Sequence, residues 1–93
     1  MGQVAESIRK KLIEAFSPQR LEVADDSARH AGHAGTRQGG ESHFNVVIVS
    51  ADFEGVSRVQ RQRSVYACLA EELAGPVHAL SVKALAPLEA DQL

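Results

Sequence analysis

Residues 43–50 read HFNVVIVS, and this stretch decides the fold. In an extended chain Phe44, Val46 and Ile48 point one way and Val47 and Val49 the other, so both faces are apolar. A strand of that kind belongs in the middle of a sheet. Weaker strand signals flank it. Residues 20–25 place Leu21 and Val23 on one face, Glu22 and Ala24 on the other. Residues 77–84 (VHALSVKA) place His78, Leu80, Val82 and Ala84 on one face, and Val77, Ala79, Ser81 and Lys83 on a more polar one.

Two helices complete the pattern. Val4, Ile8, Leu12 and Ala15/Phe16 recur at helical spacing and predict a helix over 3–16. Ser17-Pro18 stops it, because the residue before proline is pushed out of the α region. After a turn at 51–56, Ser57 and Gln60 have the spacing of a capping box. A helix is predicted from about 58 to 74, with Val59, Tyr66, Leu69 and Leu73 as its core stripe. Gly75-Pro76 ends it, with glycine expected in the left-handed position. Residues 87–93 read as a short terminal turn or helix.

The order is α-β-β-α-β. The first two strands pair as an antiparallel hairpin, and the third, reached through a helix, lies parallel to its partner. The expectation is an α+β fold over a single domain, residues 1–93. It has a three-stranded mixed sheet with both helices on one face, the arrangement of a type II KH-like domain.

Composition bounds the function. The 93 residues carry 10 Lys+Arg and 12 Asp+Glu, a net charge of −2, which does not fit bulk electrostatic coating of nucleic acid. With no Trp, three Phe and one Tyr, the core is expected to be aliphatic. One cysteine, Cys68, excludes an internal disulfide and any thiolate site made by this chain alone. No apolar run approaches the roughly 20 residues of a membrane span, and the N-terminus does not read as a secretory signal. A reducing, cytoplasmic setting without membrane contact is expected.

The remaining chemistry lies in the histidines and arginines. Residues 27–40 (SARHAGHAGTRQGG) are rich in glycine, lack any large apolar side chain and carry His30 and His33, and so predict a long exposed loop. HxxH on such a loop is a weak metal signal. His78 is open to two readings, a core histidine satisfied by a carbonyl or a rigid, strand-borne ligand emerging at the sheet edge. His43 reads as structural or polar edge, with ligation as the lesser alternative. Arg58, Arg61 and Arg63 on the second helix, with Lys83, read as a solvated face or as contacts for phosphate or an acidic partner. GHAG at 32–35 matches the GXXG of KH domains but falls between strands, so it is taken as coincidence. Cys68 reads as a boundary packing residue without activating charge. No nucleophile–base pair, carboxylate pair or phosphate loop points to an enzyme.

LEVADDS, ESHFNVVIVS (41–50), FEGVSRVQRQRSVYACLAEEL (53–73) and GPVHALSVKALAP (75–87) together closely resemble the BolA family. Gln62 departs from it, since many members have histidine between the two helix arginines. The resemblance implies a partner of monothiol glutaredoxins that shares a [2Fe–2S] cluster with them. The glutaredoxin side brings its cysteine and glutathione thiolates. This side brings His78 from VHAL and a loop residue, His30 or, as close competitor, His33. The isolated chain is then expected to hold no cluster and to be a monomer or weak homodimer. The resemblance also implies the alternative of a DNA-binding transcriptional regulator of stress response and cell morphology, through the second helix, its arginines and Lys83.

Overall fold

The computed structural model describes residues 2–25, 43–75 and 77–90. Helix α1 (Gln3–Phe16) leads into strand β1 (Arg20–Asp25). Strand β2 (His43–Val49) is followed by a 3-10 turn at Ala51–Phe53. Helices α2 (Arg58–Cys68) and α3 (Ala70–Ala74) lead to strand β3 (Ala79–Leu85) and a final turn of helix, α4 (Pro87–Ala90).

The sheet order is β1-β2-β3. β1 and β2 run antiparallel, Leu21 opposite Ile48, and β2 and β3 parallel, His43 opposite Ala79. The twice-apolar segment is therefore the central strand. Phe44, Val46 and Ile48 are buried against Ile8 and Leu12 of α1 and Val65 and Leu69 of the second helical segment. The core is less purely aliphatic than composition predicts: Phe44 and Phe53 are its two largest fully buried side chains, and the Phe16 and Phe53 rings meet at 5.1 Å.

Helix ends show how the sequence sets the boundaries. Ser17 adopts a left-handed conformation (φ 44°) and donates its N–H to the Ile13 carbonyl. Buried Ser50 donates its hydroxyl to the Phe16 carbonyl (2.7 Å) and accepts from the Asp52 N–H, tying the end of α1 to the turn after β2. The Ser57 hydroxyl accepts from the Gln60 N–H (3.2 Å), the N-cap its position predicts.

The second helix differs from expectation in three ways. It breaks at Leu69, whose N–H is shared between the Val65 and Tyr66 carbonyls. Gly75 is not left-handed (φ −114°); the N–H groups of Gly75 and Val77 both close onto the Glu72 carbonyl. The buried stripe is Arg61, Val65, Leu69 and Glu72, while Val59 is 59% exposed and Tyr66 39%. Two charged residues outrank two apolar ones because each is matched by fixed polar partners inside.

Candidate functional site

The sheet topology gathers three chain segments at one end. β1 finishes there at Asp25, β2 starts there at His43, and β3 starts there at Ala79, just after His78. The segment carrying His30 and His33 leaves and re-enters at this same end; both residues, the predicted loop and the GHAG string lie outside the described residues. His78 is exposed rather than sunk into the core, because it precedes the first paired residue of β3. His43 is half-buried, and its ring centre lies 5.7 Å from that of His78, the planes tilted by 53°. Sequence reading gave His43 the lesser role. The parallel register, which starts β2 and β3 side by side, is the signal that brings it to His78.

These residues suit a centre completed from outside. A two-iron cluster takes four protein-side donors, and imidazole is an accepted substitute for thiolate on one iron. Among the described residues no group of three His, Cys, Asp or Glu could hold a metal. Cys68 is no donor at this end: its thiol sits at the α1–α2 contact, 3.6 Å from the Lys11 carbonyl. Burial pushes that thiol above its ordinary pKa, with nearby Glu72 adding to the rise and Lys11 opposing it.

The cationic set divides. Arg61 is buried and fully engaged. Its Nε donates to the Val56 carbonyl (2.8 Å) and Nη1 to the Ala84 carbonyl (3.1 Å). Nη1 and Nη2 also meet the Glu89 carboxylate at 2.6 and 3.2 Å, and the guanidinium lies 5.9 Å from the centre of the Phe53 ring. It therefore locks α4 to α2 and is not available to a phosphate or a partner, which corrects its place in the predicted set. Arg58, Arg63 and Lys83 remain exposed. Arg58 and Lys83 line, with Gln62 and Glu89, a groove of about 580 Å³ at the opposite end of β3 from His78.

α2 also closes the free side of β3. The Tyr66 hydroxyl, Gln62 Nε2 and Arg61 Nη1 donate to the carbonyls of Leu80, Val82 and Ala84 in turn. Gln62, the departure noted in the sequence, bonds at 2.6 Å. An edge so covered is closed to further strand pairing. On the other flank of the helices, Glu72 accepts from the Ser7 hydroxyl (2.6 Å) and from Lys11 Nζ (2.9 Å), joining α3 to α1. Sequence reading missed Glu72, since a glutamate in a helix ordinarily signals the solvent face.

A three-stranded α+β domain presenting paired imidazoles at the sheet end is the class of protein that fold and site define together. The BolA family model, described as BolA-like protein, matches residues 12–89, and the chain belongs to that family. It is 49% identical over 89 residues to human BolA-like protein 1, covering 96% of this chain. The chain spans 62% of that relative's length. The solved BolA domain of SufE1 from Arabidopsis thaliana superposes with a TM-score of 0.85 at 45% identity, over 96% of this chain and 98% of that one. The solution structure of mouse BolA1 gives 0.82 at 43% identity, over 99% and 72%. No helix among the described residues is long and apolar enough to cross a membrane.

Proposed function

We propose that this chain is a non-enzymatic adaptor that binds a monothiol glutaredoxin and shares a [2Fe–2S] cluster with it, in cluster assembly, trafficking or iron regulation. His78 is one ligand on this side and His30 or His33 the second. The partner's cysteine and glutathione supply the thiolates. The observation that carries the reading is the exposure of His78 at the sheet end where the glycine-rich segment is anchored on both sides. One imidazole stands at the start of β3, and the segment that carries the second joins β1 and β2 at this end of the sheet. Such a pair contributes half of the four donors, so the centre exists only in the complex. A related BolA sequence occupies about a quarter of a protein named SufE-like protein 1, at 45% identity, which supports a module acting alongside other components.

The test mixes the purified chain with cluster-loaded glutaredoxin and follows visible circular dichroism. A spectrum distinct from the glutaredoxin homodimer is expected, and His78→Ala should abolish it while far-UV dichroism stays unchanged. A His78→Ala spectrum identical to that of the unaltered pair removes the ligand assignment. The His30→Ala and His33→Ala variants separate the two candidates for the second ligand.

A second reading, DNA contact for transcriptional regulation, draws support from the groove that holds Arg58 and Lys83. With Arg61 withdrawn, Arg58, Arg63 and Lys83 remain. Three phosphate contacts give a log–log salt slope of roughly −2.7. Absence of duplex binding at low salt eliminates this reading.

A further inference from the structure

We infer that His43 and His78 form a chelating pair that binds a single late first-row divalent ion, of the Ni²⁺, Cu²⁺ or Zn²⁺ class, in the chain without its partner. A metal–nitrogen bond of about 2.0 Å sets an ion roughly 3.2 Å from the centre of each bound ring, so two ring centres stand roughly 5.2 Å apart in the tetrahedral ligation of Zn²⁺ and roughly 4.5 Å apart in the square-planar or octahedral ligation of Cu²⁺ and Ni²⁺. The observed separation of 5.7 Å is wider than either, so binding draws the two rings together. The parallel ladder starts the two strands side by side, with residue 43 opposite residue 79 and His78 immediately before that pair. Exposed His78 leaves the outward side of the ion open to water.

The donor set fixes the class of ion. Two imidazoles and water suit Zn²⁺, Ni²⁺ and Cu²⁺, with Cu²⁺ held most tightly by the general order of affinities. Mg²⁺ and Ca²⁺ demand oxygen ligands and gain nothing here. The inference goes beyond the shared cluster. It meets that reading only in the use of His78, which makes the ion and the cluster mutually exclusive occupants of this end.

The experiment uses the full chain alone, titrated calorimetrically with Ni²⁺ and separately with Zn²⁺ in a weakly coordinating buffer, with Mg²⁺ as control. One transition ion per chain is expected. His43→Gln and His78→Gln should each weaken binding about tenfold or more, at least the range seen when groups that merely support metal ligands are removed. The double variant His30→Gln/His33→Gln should retain most of the affinity. A second measurement stands if His43→Gln disturbs the fold. In the unaltered chain, substoichiometric Ni²⁺ should broaden the ring signals of His43 and His78 before any others. Failure to bind, full affinity in either single variant, or broadening centred on His30 and His33 overturns the inference. Since no glutaredoxin is present, none of these results bears on the shared-cluster reading, which the mixing experiment decides separately.

Discussion

Replacing Arg61 with alanine should be the costliest change on the face of α2, although its sequence context marks it as one arginine among three. Its guanidinium is 5% exposed as a residue and holds two carbonyls, those of Val56 and Ala84. A hydrogen bond from a charged donor contributes about 1.5 kcal/mol or more, so the two together give about 3 kcal/mol. The ring contact with Phe53 adds about 0.5 kcal/mol. Glu89 is left out of this sum, since its carboxylate is partly exposed and water replaces the lost partner. For a domain of this size about 3.5 kcal/mol corresponds to a fall in Tm of roughly 14–28 °C. Thermal unfolding followed by far-UV circular dichroism measures it. Arg63→Ala serves as the control and should stay within about 0.5 kcal/mol, as an exposed position does. Equal melting of the two variants refutes the burial argument.

The other predictions concern protonation, the thiol and the core stripe. Glu72 is pushed up by burial, but the bonds from Ser7 and Lys11 outweigh this and hold it below its ordinary value. Glu89 is held low by Arg61 and by the Ala86 N–H. Both carboxylates have depressed folded-state values, so their stabilisation is complete above about pH 4.5 and is lost as the pH falls through the folded-state values. Tm should be flat from about pH 7 to 5 and fall below that, and Glu72→Gln should reduce the drop; an onset above about pH 6 contradicts the assignment. Cys68 should react with an aromatic disulfide at pH 8 more slowly than a free thiol, and a rate equal to the free thiol's excludes the raised pKa. Val65→Ala should cost about 2 kcal/mol in chemical denaturation and Val59→Ala almost nothing, the reverse of what helical apolarity alone suggests.

The fold was largely legible because hydrophobic periodicity reports burial directly. Helix α1 and strand β1 fall at their predicted bounds, and β2, with both faces apolar, sits at the centre of the sheet. The second helix was misread where that proxy fails. Arg61 and Glu72 lie on the inner stripe because carbonyls, a hydroxyl and counter-charges from α1, β3 and α4 meet them there, and such partners are distant in sequence. Val59 gives way because the helix turns its arginine inward. At the candidate site, His78 was legible as a residue but not in its exposure, which depends on β3 starting at Ala79 rather than at Val77. The proximity of His43 needed the strand register, which no local pattern encodes.

The central claim is that an imidazole of this chain bonds directly to iron in a centre shared with a glutaredoxin. Pulsed electron paramagnetic resonance on the reduced complex tests it most directly, with ¹⁵N-histidine placed only in this chain. Strongly coupled ¹⁵N should appear at the cluster and be lost in His78→Ala, in which the shared centre does not form. A reduced cluster whose strong couplings contain no ¹⁵N from this chain contradicts the account.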